Sequence, residues 1–118
     1  MKYLCLIYQD ESATQTLPKA EFERIHRDYI AFTDDITRSG RLLGNHGLQP
    51  ARTACTVRVR NGKAILTDGP FAETKEQLGG YYLIEANCID EAIQIASRIP
   101  SASFGSVEVR PVRENYSQ

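Results

Sequence analysis

Chargeable and hydrogen-bonding side chains crowd into one stretch of the chain, Thr67 to Ala86, TDGPFAETKEQLGGYYLIEA. A carboxylate, Asp68, stands beside a Gly69-Pro70 turn and the aromatic Phe71, followed by Glu73, Lys75 and Glu76, the Gly79-Gly80 pair, and Tyr81 and Tyr82. If a hairpin face buries Asp68, it could serve as a general base, because burial raises a carboxylate's pKa toward neutrality. It can equally cap the Gly-Pro turn by accepting backbone amides. Lys75 and Glu76 could orient an anionic or hydroxylated ligand, with Tyr81 beside them, or form a solvated run of charge worth only about 0 to 1 kcal/mol per ion pair. The glycines allow close backbone approach or a bulge at the start of a strand.

Two histidines stand outside this stretch. His26 lies beside a helical apolar stripe and His46 in a glycine-interrupted strand, and either suits acid–base work near neutral pH. Each can also be a packing residue. Arg110 shares a strand face with Glu108, where it could anchor a carboxylate ligand or bridge to that neighbour. Two histidines without supporting cysteine or acidic spacing do not make a metal set, so no metal is expected. Walker, Rossmann and GxSxG patterns do not occur, which removes nucleotide hydrolysis, dinucleotide redox and serine hydrolase chemistry.

The elements that must position these groups follow from periodicity. Residues 2–9, KYLCLIYQ, are apolar on both alternating parities, the pattern of a strand covered on both faces. Asp10 to Thr16 reads as a polar loop. A helix then starts with Pro18 in its first turn, carries Phe22, Ile25, Tyr29, Phe32 and Ile36 as one stripe, and stops at Ser39-Gly40. Arg41 to Leu48 is a second strand. Ala54 to Arg60 and Lys63 to Asp68 flank Asn61-Gly62, the pair favoured in a type I′ hairpin turn, which sets Val57 against Leu66 and Cys55 against Asp68. Thr74 and Gln77 have capping-box spacing, predicting a helical turn over Lys75 to Leu78. A strand over Gly80 to Ala86, a helix over Ile89 to Ile99 ended by Pro100, and a strand over Ser106 to Val112 complete the chain. Glu114 to Gln118 reads as a loose tail after a single domain over residues 1–113.

This order predicts an α+β fold, a ferredoxin-like split βαβ with an inserted β-hairpin between its second and third core strands. Two helices cover one sheet face, so the other must meet solvent, a ligand or another subunit. Apolar residues on both parities of the first strand favour a homodimer closing two sheets face to face, with a cleft between.

Composition agrees with a globular chain: 118 residues, 42% hydrophobic and 25% charged, with a net charge of −1. That charge gives no electrostatic reason for direct nucleic-acid binding. No apolar run approaches the roughly 18 residues of a membrane span, and the start of the chain lacks a cleavage site. Cys5, Cys55 and Cys88 have no CxxC spacing, so they are expected to be reduced and mostly buried, in a cytoplasmic protein.

The run DGPFAETKEQLGGYYLIEA, the opening MKYLCLIYQDE, the AxxIP at the end of the second helix and the closing SVEVRPV resemble the YCII-related family, in its DGPF branch. The resemblance covers nearly the whole chain. It implies a ferredoxin-like subunit in a dimeric α+β barrel. For some members it also implies association with an alternative sigma factor, as non-catalytic regulatory accessories. Barrel relatives of the wider family imply small aromatic or oxygenated compounds, and the clustering of titratable groups near a concave dimer face points to a cofactor-independent enzyme doing acid–base chemistry on a small polar or aromatic compound. One of the family's enzymes, a dehydrochlorinase, is thought to use a His and Asp pair, and His26 with Asp68 is the best match for that pair here.

Overall fold

A computed structural model describes residues 1–114 of the chain; the tail expected over Glu114 to Gln118 lies, from residue 115 on, outside the described residues. The elements are β1 (Lys2–Gln9), α1 (Glu11–Thr14), α2 (Lys19–Arg38), β2 (Leu42–Gly47), β3 (Cys55–Arg60), β4 (Lys63–Asp68), β5 (Gln77–Glu85), α3 (Ile89–Ala96) and β6 (Ser106–Pro111). Single 3₁₀ turns lie at Ala51–Thr53 and Pro100–Ser103. Four strands form an antiparallel sheet in the order β2-β5-β1-β6, the ferredoxin-like arrangement, and β3 pairs only with β4. None of the described helices is long and apolar enough to cross a membrane.

Alternation along β1 explains the layers. Tyr3, Cys5 and Ile7 are buried and face the helices, where they meet Phe32 and Ile36 of α2, Tyr82 and Ile84 of β5, and Ala92 and Ala96 of α3. Leu4, Leu6 and Tyr8 face the other way and are half-buried. On that open face their cross-strand neighbours are Leu83, Tyr81 and Leu78 of β5 and Arg110, Glu108 and Ser106 of β6. A bulge between Leu42 and Gly44 in β2 accommodates the first glycine of that strand.

The hairpin has the expected register, Arg60 opposite Lys63 through Cys55 opposite Asp68, and its turn has Asn61 at φ 52° and Gly62 at φ 75°. Its setting differs from expectation. β3 and β4 leave the body as an arm, so Val57, Val59 and Leu66 are 59%, 61% and 66% exposed. Asp68, at the end of the hairpin's apolar face, is exposed as well.

Three local expectations are corrected. The stretch after β1 is a helical turn, since the Asp10 carboxylate caps it by accepting from the amides of Ser12 at 3.0 Å and Ala13 at 3.4 Å. No helix forms over Lys75 to Leu78. There the Gln77 side chain donates to the Thr74 carbonyl at 2.6 Å and accepts from the Glu11 amide at 2.9 Å, which lets β5 begin at Gln77. Of the three free cysteines only Cys5 is buried. Cys55 sits on the arm and Cys88 at the start of α3, and both are exposed.

Candidate functional site

The stripe of α2 divides into two functions along its length. Phe32 and Ile36 seal the core, whereas Phe22, Ile25 and Tyr29, one to three turns earlier, border a cavity of about 400 Å³ between the helix and the sheet. Leu17, Phe104 and Ile7 complete its apolar walls, and His26, Gln9, Thr14, Asn45 and Tyr82 bring polar groups to it. This size and mixture suit a small organic ligand held by apolar walls and oriented by a few polar atoms.

A relay fixes several of those polar atoms. Ser101, only 1% exposed, donates its single hydroxyl proton to Gln9 Oε1 at 2.9 Å, so the Tyr29 hydroxyl, 2.5 Å away, is the donor to Ser101 Oγ. With its oxygen engaged, the Gln9 amide has its N–H groups left to donate. Across the cavity the Tyr82 hydroxyl meets Thr33 Oγ1 at 2.6 Å and is hydrogen-bonded by the Asn45 side chain. Burial pushes both tyrosines above the usual phenol value of 10.0. For Tyr29 this is partly offset by its hydrogen bonding with Ser101, and for Tyr82 by that with Thr33 and Asn45. Both phenols are therefore protonated donors at neutral pH.

Gly80 is required at the sheet end of the cavity. A Cβ there would stand 2.8 Å from the His46 carbonyl oxygen of the adjacent strand, closer than real contacts allow. Gly79 packs against the Gln9 side chain, 3.6 Å from where its Cβ would lie to Gln9 Nε2.

The residues singled out in the sequence fall in four separate places. His26 lines the cavity from the exposed side of α2. His46 borders it through its strand, but its imidazole belongs to the open face, where Nδ1 lies 2.8 Å from the Tyr81 hydroxyl. Arg110 shares that open face and forms an ion pair with Glu108. Lys75 lines a different, shallow cleft with Asp10, Glu11 and Glu73, while the Glu76 carboxylate accepts from Ser106 Oγ at 2.8 Å. Asp68 ends β4, where its carboxylate has no hydrogen-bond or ion-pair partner among the described residues. His26 and Asp68 thus stand on separate parts of the molecule: the histidine in the body, the aspartate at the root of the arm.

Gln9, Tyr29, Asn45 and Tyr82 escaped the sequence reading as site residues. The two tyrosines were hidden in regular apolar patterns. Asn45 carried a usable signal, since it is a polar residue on a strand position that faces the helices.

Comparison with known proteins places this geometry in a family. Residues 1–115 match the YCII-related domain. The chain is 45% identical over 114 residues, 95% of its length and 92% of the relative's, to an uncharacterized protein of Rhizobium meliloti (strain 1021). In fold it is similar to the 5-chloro-2-hydroxyhydroquinone dehydrochlorinase of Burkholderia phenoliruptrix AC1100, solved in complex with 2,5-dihydroxybenzoquinone. That likeness has a TM-score of 0.54 at 14% identity and covers 100% of this chain and 99% of the other. From its cover by the family model and its relative of near-equal length, the chain belongs to the YCII-related family.

Proposed function

We infer that the chain is an enzyme that moves protons on a small hydroxylated aromatic or quinone compound held in the cavity between α2 and the sheet. The observation that carries this reading is the convergence of His26, Gln9 and Asn45 on a cavity otherwise walled by Phe22, Ile25, Leu17 and Phe104. Apolar walls take up the faces of a ring, and the Gln9 amide offers N–H donors to a ring oxygen. His26, at the exposed edge, takes or returns the proton, exchanging it with solvent. Tyr29 and Tyr82 hold the donors in place and stay protonated through neutral pH. The dehydrochlorinase, whose ligand is a dihydroxybenzoquinone, motivates the substrate class. The same reading includes a homodimer closed through the open sheet face, where Leu4, Leu6, Tyr8 and Leu83 are half-buried.

Proton transfer can be read without knowing the leaving group. Exchange of ring hydrogens for deuterium is followed by NMR on a panel of hydroxylated benzenes and quinones incubated with the protein in heavy water. Protein-dependent exchange is expected for at least one, falling about 10²-fold or more in His26→Ala. Full exchange activity in His26→Ala, with binding intact, would overturn the assignment, and no exchange across the panel would overturn the substrate class.

A further inference from the structure

The β3–β4 arm is two-faced, and its Val57, Val59 and Leu66 are exposed. Strand alternation puts Cys55, Val57, Val59, Ala64, Leu66 and Asp68 on one side and Thr56, Arg58, Arg60, Lys63, Ile65 and Thr67 on the other. At its root the two legs are held to each other, the Gly69 amide donating to the Ala54 carbonyl at 2.7 Å and Thr56 Oγ1 to the Gly69 carbonyl at 2.9 Å, and Arg58 lies 5.4 Å over the Phe71 ring. An isolated two-stranded hairpin is marginal in water, and an apolar sheet face calls for a cover.

The dimensions of the chain say how much cover is missing. Its accessible surface is 8371 Å², against about 6,400 Å² for a compact monomer of 13.2 kDa. Its radius of gyration is 16.3 Å, against about 13.5 Å for a compact domain of 118 residues. The surplus, roughly 2,000 Å² for one chain, exceeds the ~800 Å² that each partner contributes to a standard interface. The chain also supplies an apolar counterpart. Beside the open sheet face lies a groove lined by Tyr8, Leu48, Pro50, Phe71 and Leu78.

We propose that the arm is an interface element that packs its Val57–Val59–Leu66 face on a second copy of this chain, each arm reaching across the other protomer. This rests on the homodimer reading above and adds the part that holds the pair together. A nucleic acid or an anionic membrane fits less well, because Arg58, Arg60 and Lys63 stand on the face opposite Val57, Val59 and Leu66, so one flat anionic surface cannot meet both. A second copy buries the apolar face and leaves Arg58, Arg60 and Lys63 in water.

Sedimentation velocity on the full chain, from about 1 to 100 μM, tests this. The wild type is expected at twice the 13.2 kDa chain mass. A Val57→Lys/Leu66→Lys variant is expected to dissociate at least 100-fold more readily while keeping its circular dichroism spectrum, and Arg60→Ser on the polar face should leave assembly unchanged. A wild-type monomer throughout would overturn both this proposal and the dimer. A double variant that dimerises as tightly as wild type would overturn the arm's role alone. A double variant that unfolds would mean the face packs within its own chain, which also overturns it. Ligand binding in the cavity is measured separately, so the proposed activity stands or falls by other data.

Discussion

Tyr29 of α2 and Tyr82 of β5 lie with their rings parallel, 8° between planes and 6.5 Å between centroids, and each hydroxyl is held by a different partner. The pair joins helix to sheet where the tight core gives way to the cavity. Tyr82 also takes the edge of Phe32 at 5.2 Å, so one side chain belongs to both regions. The cavity is thereby anchored on a helix and a sheet strand.

Removing the hinge of the hydroxyl relay is expected to loosen the cavity without opening the core. Ser101→Ala leaves the Tyr29 donor and the Gln9 acceptor without their partner. Urea denaturation should show a loss of about 1 to 3 kcal/mol, the usual cost of orphaned buried polar groups. Ligand affinity should fall in parallel, since Gln9 is then free to turn its amide. Unchanged stability and affinity would show that the relay fixes nothing.

Gly80→Ala is expected to cost about 1 to 3 kcal/mol through overpacking. The new methyl would stand 2.8 Å from the His46 carbonyl oxygen, a backbone atom that cannot rotate away, so β2 must move. Gly47→Ala, with nothing within 4 Å of the added atom, is the internal control and should cost little by thermal melting.

Alkaline pH should reveal the buried thiol of β1. Burial pushes Cys5 from 9.0 up to about 11. The unfolded chain therefore loses this proton first as pH rises, and stability present below pH 9 declines between about 9 and 11. The full loss over that window amounts to about 2 to 3 kcal/mol. Tyr29 and Tyr82, also raised by burial, act in the same direction above pH 10.0. In Cys5→Ala the slope of stability against pH should be visibly shallower over that window, whatever its offset at neutral pH.

The proposed proton transfer carries its own signature in the isotope exchange. With His26 as acceptor, solvent hydrogen should reach the ring only through the imidazole. His26→Gln should lower the exchange rate about 10²-fold while retaining ligand binding. An exchange rate unchanged in that variant would assign the proton to another group.

Much of the fold was legible because strands and turns announce themselves locally. β1 had both its limits and its two apolar faces in the sequence, and Asn61-Gly62 set the arm's register to the residue. What could not be read was distance. Periodicity told which side of α2 faces the sheet, but not that the sheet is closed under Ile36 and open under Phe22 and Ile25. The same blindness applied to the hairpin, whose apolar alternation implied a covered face without saying which chain covers it. Asp68 and Lys75 were conspicuous by chemistry and by their place in a charged run. Their carboxylate and ammonium groups stand outside the cavity all the same, and much of that run turns the chain from arm to sheet. Gln9 was the reverse case, an unremarkable strand-end residue given its orientation by Ser101, 92 positions away.

The most direct test of the central claim is ligand mapping by amide and side-chain chemical shifts, with 2,5-dihydroxybenzoquinone, the compound bound to the dehydrochlorinase, as the probe. The account predicts saturable shifts centred on Gln9, His26, Tyr29, Asn45 and Tyr82, and their loss in Ser101→Ala. Shifts centred instead on His46, Tyr81 and Arg110 of the open face, or none at millimolar probe, would contradict it.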